Sequence, residues 1–148
     1  MEAPEVRVVE RPGTPTAVIR ATTTWEEYPS LWGRLLDEVW KTVRAHDLAA
    51  GRNVMRYLDD VPHVEVGVEL SDFEAIGRLV PSSLPAGPAA AARVPATAEG
   101  IRSGHEAVAR YVEAHGLAPS GERFEVYDHQ RDDASTLQVE IYWPLGQR

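Results

Sequence analysis

His63-Val64-Glu65-Val66-Gly67-Val68-Glu69-Leu70 alternates apolar with polar or small residues. Successive side chains of an extended chain point to opposite faces, so Val64, Val66, Val68 and Leu70 share one face. Glu65, Gly67 and Glu69 share the other. A segment of this kind is a strand whose sheet is covered on one side. Just before it, Val54 to Leu58 is a second short strand, joined to the first through Asp59-Asp60.

Upstream, Pro29 opens a helix expected to reach His46, because a proline in the first turn loses no helical hydrogen bond. Leu31, Leu35, Leu36, Val39, Trp40 and Val43 recur at three- and four-residue intervals along it. Extended stretches, Val6 to Glu10 and Thr16 to Thr24, come before the helix. Downstream, Arg78 to Leu84 and Ala89 to Val94 are strands separated by Pro85-Ala86-Gly87-Pro88. A second helix is expected from Ile101 to His115, closed by Gly116 in the position of a left-handed cap. Strands from Phe124 to Asp128 and from Leu137 to Trp143 follow, with an acidic turn at Asp132-Asp133 between them.

The second half therefore repeats the order of the first. Asn53 to Asp59 lies over Arg123 to His129, and His63 to Val68 over Thr136 to Ile141, which makes Gly67 the counterpart of Glu140. The expected fold is α+β: duplicated β-α-β-β units, residues 1–80 and 81–148, forming one antiparallel sheet in a single domain. Both helices cover one face. A cleft is expected between the halves on the opposite face, which carries the non-valine positions and is left partly open.

The 148-residue chain is 43% apolar, has no cysteine and carries a formal charge of −8. A chain of this size can bury a core without staples. The missing thiols exclude disulfides, thiolate metal sites and a cysteine nucleophile. The negative charge argues against nucleic-acid binding as the main activity. The start shows no signal-peptide pattern, and no stretch reaches the roughly 20 apolar residues of a membrane helix, so a cytoplasmic protein is expected. The five histidines are scattered, and neither a metal nor another cofactor is expected.

On the face opposite Val139, Ile141 and Trp143, parity places Gln138, Glu140 and Tyr142. Tyr57 and Tyr127 occupy matching places in the preceding strands. A carboxylate with a glycine opposite and tyrosines on the walls suits a flat, apolar, cationic small molecule. Trp32 and Trp40, eight apart on one helix, and Tyr111 on the other are further ligand candidates at the rim. Trp25 is expected to close one end of the cavity, whereas Trp143 has the parity of the core.

The segments VEVGVEL (64–70), SSLPAGPAAAARV (82–94) and VEIYWPL (139–145) together resemble the GyrI-like small-molecule-binding domain family, over nearly the whole chain. That family includes effector-binding domains of multidrug-sensing MerR- and AraC-type regulators. The resemblance implies a stand-alone member without a DNA-binding appendage, and makes Glu140 the acidic pocket residue that neutralises cationic ligands. Where family members often carry a His-x-Gly-Pro-Tyr-like stretch, this chain has Val94-Pro95-Ala96-Thr97. Some similar proteins hydrolyse reactive cyclopropane-bearing natural products. In that alternative, Glu140 with a pocket tyrosine, Tyr127 or Tyr57, would activate water. A protein partner, such as a topoisomerase or a regulator, would be a third role.

Overall fold

The computed structural model describes residues 4–129 and 137–146. The strands are β1 (Val6–Arg11), β2 (Thr14–Thr22), β3 (Asn53–Tyr57), β4 (His63–Glu69), β5 (Leu79–Leu84), β6 (Gly87–Pro95), β7 (Arg123–Tyr127) and β8 (Gln138–Pro144). The helices are α1 (Tyr28–Ala45), between β2 and β3, and α2 (Ala98–Ala114), between β6 and β7. All strands join one eight-stranded antiparallel sheet in the order β1-β6-β8-β7-β3-β4-β2-β5. The expected acidic turn at Asp132-Asp133 and Thr136 lie outside the described residues.

The order is symmetrical about the β3–β7 pair, where Met55 faces Glu125. The repeat is richer than β-α-β-β, because each half gains a strand that it lends to the other. β1 precedes β2 in the chain but pairs with β6, while β5 precedes β6 but pairs with β2. Long-range pairing of this kind leaves no local trace in the sequence.

Register also corrects the expected correspondence. Met55 pairs with Val66 in the first half and Glu125 with Ile141 in the second. Val66 thus corresponds to Ile141, and Glu65, not Gly67, is the counterpart of Glu140. A slip of two residues preserves the face of every side chain, so parity cannot detect it.

α2 starts three residues before the expected Ile101. Thr97 is its N-cap, in extended backbone, and its hydroxyl accepts the Gly100 N–H at 2.9 Å. α1 keeps Pro29 in its first turn and ends at Ala45. The valine face of the sheet packs under the helices as expected. Val64, Val66 and Val68 meet Leu35, Val39 and Val43 of α1, and Val139 and Ile141 meet Val108 and Val112 of α2.

The opposite face is not open. Val18, Val54, Leu84, Phe124 and Val126 form a second core there, all of them buried. A layer of ion pairs flanks it. Arg20 and Arg56 both reach the buried Glu65, at 2.9 and 3.2 Å, and Arg52 joins Glu69 at 3.0 Å to Glu140 at 3.3 Å. The Arg11 guanidinium lies 4.5 Å from the centre of the Tyr142 ring. Among the described residues, no helix is long and apolar enough to cross a membrane.

Candidate functional site

α1 packs on β2 and β4, and α2 on β1, β6 and β8. The two central strands are left between the helices, and a cavity of about 760 Å³ opens above them. β3 contributes Asn53, Met55 and Tyr57 to it, and β7 contributes the matching Arg123, Glu125 and Tyr127. The first turns of α1 add Tyr28 and Trp32, and those of α2 add Ile101 and His105. Ala96 and Thr97, from the segment that departs from the family pattern, also line it.

Glu125 is the chemical centre of this cavity. It is 2% exposed, and strand parity aims it at the helix side. Its Oε1 accepts the hydroxyls of Tyr57 and Tyr127, both at 2.8 Å. Its Oε2 lies 2.7 Å from His105 Nε2. The tautomer follows from the next link, because Trp143 Nε1 can only donate, and it lies 2.9 Å from His105 Nδ1. Nδ1 is therefore the acceptor, Nε2 carries the hydrogen, and a neutral imidazole donates to Glu125. Three neutral donors fill about three of the four acceptor positions of a carboxylate. Among the described residues no lysine or arginine pairs with Glu125. A buried, unpaired carboxylate costs several kcal/mol, which hydrogen bonds offset only in part.

Burial pushes the Tyr57 phenol well above its ordinary value, and the negative charge of Glu125 adds to the effect. Tyr127 is raised for the same two reasons, in the same order. Burial likewise raises Tyr28. All three remain protonated donors or aromatic walls at neutral pH. The rings form a connected wall, with centroids 5.4 Å apart for Trp25–Tyr57 and 5.3 Å for Tyr28–Tyr57. Trp25 and Trp32 are nevertheless 44% and 38% exposed, so they form the rim and not the floor. Trp25 lines the cavity and donates Nε1 to the Asp60 carbonyl at 3.1 Å.

Of the residues singled out from the sequence, Tyr57, Tyr127 and Trp32 meet in this cavity. Trp40 is not among the lining residues, but it donates its Nε1 to Oδ1 of Asn53, which is, at 2.8 Å. Tyr111 lies in the last turns of α2, stacked on His115 at 3.9 Å. Gly67 and Glu140 are on the other face of the sheet. A Cβ on Gly67 would sit 1.9 Å from the Ala17 carbonyl oxygen, so this glycine admits the neighbouring backbone, not a ligand. Glu140 is held by Arg52 and Arg93, both at 3.3 Å, and by the Tyr142 hydroxyl at 2.9 Å. Glu125, His105, Tyr28 and Arg123 were not singled out as site residues. Glu125 shares its face with Tyr127 two residues on, and that shared parity was the available signal. Among the described residues, no three carboxylates or imidazoles gather in a way that could hold a metal.

A sheet duplicated about a dyad, with an aromatic cavity and a buried acid at its centre, defines a domain built to enclose a small molecule. The chain belongs to the GyrI-like small-molecule-binding domain family, whose model matches residues 4–145. Among solved structures, it resembles the C-terminal domain of EcmrR, with 16% identity and a TM-score of 0.78 over 98% of this chain and 99% of that one. It spans 59% of the EcmrR chain seen bound to DNA. It also resembles SAV2435 bound to tetraphenylphosphonium, at 14% identity and a TM-score of 0.70, covering 96% of this chain and 94% of that one. A hydrolase from Listeria innocua is similar at 11% identity and a TM-score of 0.60, over 96% and 92% of the two chains. No curated protein matches the sequence. At these identities the structural likenesses establish the fold alone.

Proposed function

We propose that the protein captures bulky, apolar, cationic small molecules in the cavity between its helices, with Glu125 as the buried counter-charge. The carrying observation is that Glu125 is 2% exposed and hydrogen-bonded to two phenols and an imidazole, yet has no lysine or arginine partner among the described residues. A lipophilic cation would bring the missing charge into a site of low dielectric, where the attraction is strong. Tyr57, Tyr127 and Trp32 would then stack on the ligand. SAV2435, a protein of the same fold, was solved with a lipophilic cation of this class.

Hydrolysis is the weaker reading. Glu140, its expected base, is held by two arginines on the other face of the sheet. Glu125 meets Tyr127 in one cavity, but its oxygens already accept three hydrogen bonds, which lowers its competence as a base.

The test is quenching of tryptophan fluorescence by tetraphenylphosphonium and by neutral triphenylphosphine oxide. Glu125→Gln should weaken the cation about tenfold or more, equivalent to about 1.4 kcal/mol, and leave the neutral compound within about twofold. Equal losses for both would refute a counter-charge at Glu125.

A further inference from the structure

The cavity holds a second charge that capture of a simple cation leaves unused. Arg123 stands two residues before Glu125 on β7, on the same face, and lines the same cavity. Its guanidinium carbon lies 5.5 Å from the ring centre of Trp25 and 5.4 Å from that of Trp143, within the range of a cation–π contact. One hydrogen bond, from Nη2 to Asp60 Oδ1 at 3.1 Å, holds it from outside. Asp60 is 89% exposed, so solvent screens that pair strongly. Among the described residues, Nε and Nη1 of Arg123 have no acceptor. The arginines of the opposite face differ: Arg52 and Arg56 each reach two carboxylates.

Arg123 and Glu125 form no ion pair with each other. Two residues along a strand separates their Cα atoms by about 6.6 Å, and each is held apart by its own partners. Tyr57, Tyr127 and His105 surround the carboxylate, while Trp25, Trp143 and Asp60 surround the guanidinium. Trp143 belongs to both groups, since it donates to His105 and lies beneath Arg123. The result is an aromatic chamber with an acceptor at its floor and, nearer its rim, a donor fork whose Nε and Nη1 have no protein acceptor among the described residues. A guanidinium fork matches a carboxylate or a similar planar anion in a bidentate pair.

We propose that the ligand class is zwitterionic: an aromatic cation bearing a carboxylate or similar anionic substituent, with the cation at Glu125 and the anion at Arg123. This rests on the cavity reading above and narrows it.

Rhodamine B carries a cationic ring system and a free carboxylate, and its ethyl ester keeps the cation alone. Fluorescence polarisation with the full chain should show the wild type binding rhodamine B at least as tightly as the ester. Arg123→Gln should weaken rhodamine B about tenfold while the ester changes by less than about threefold. Arg123→Lys, which keeps the charge but loses the fork, should fall between. Equal weakening of both dyes in Arg123→Gln, or a wild type that prefers the ester, overturns the inference. A wild type that binds tetraphenylphosphonium but not rhodamine B also overturns it, and leaves the cation reading standing. If tetraphenylphosphonium binding is indifferent to Glu125→Gln, the cation reading itself fails.

Discussion

Glu125 and Glu140 show what one residue's environment decides. Both are strand carboxylates near tyrosine hydroxyls, yet one is neutralised by arginines and the other is not. From the sequence, Glu140 is conspicuous because it interrupts an apolar, aromatic strand. Glu125 is inconspicuous because Phe124 and Val126 on either side make it look like the solvated half of an alternating strand. Parity sorts both residues onto their faces, but it does not tell which face holds the cavity. The tyrosines around Glu125 carry a pH signature. A phenol raised in the folded state adds stability that is complete below its ordinary value of 10.0 and is lost as pH rises toward the folded value. Tyr57 and Tyr127 should thus add no phenolate absorbance while the fold persists above about pH 10, and should ionise only with alkaline unfolding. Ionisation of both near the ordinary phenol value, with the fold intact by circular dichroism, would contradict their burial against Glu125.

At the scale of elements, most of the secondary structure was legible. Valine alternation identifies β4, three–four periodicity identifies α1, and the proline and glycine punctuation separates β5 from β6. The start of α2 was not legible, because Gly100 weakens the helical pattern just where the Thr97 cap begins it. Helix glycines also divide by what surrounds them. A Cβ on Gly104 would approach Ile141 Cδ1 to 2.5 Å, so that glycine lets α2 settle on the sheet. Gly33 lies inside α1, and a Cβ there would meet nothing within 4 Å. Gly33→Ala should therefore stabilise the protein by about 1 kcal/mol, read as a higher denaturant midpoint with an unchanged slope. A lower midpoint would mean that α1 needs the glycine for close contact.

For the whole molecule, duplication was readable but the exchange of β1 and β5 between the halves was not, since it depends on pairing between residues remote in sequence. Duplication places two equivalent strands side by side at the dyad, and the helices, each covering its own half, leave that centre uncovered. The cavity is thus a consequence of the repeat, and the asymmetry at its middle, Met55 facing Glu125, gives it a charge. The face opposite serves stability, with Phe124 and Leu84 buried and Glu65, Glu69 and Glu140 tied to arginines. Calorimetric titration of tetraphenylphosphonium into the wild type, Glu125→Gln and Glu140→Gln tests this division of labour most directly. The expected result is a loss of about tenfold or more in affinity for Glu125→Gln, about 1.4 kcal/mol, with Glu140→Gln within about twofold of the wild type. A large loss for Glu140→Gln, with Glu125→Gln unchanged, would place the counter-charge on the wrong face of the sheet and contradict the account.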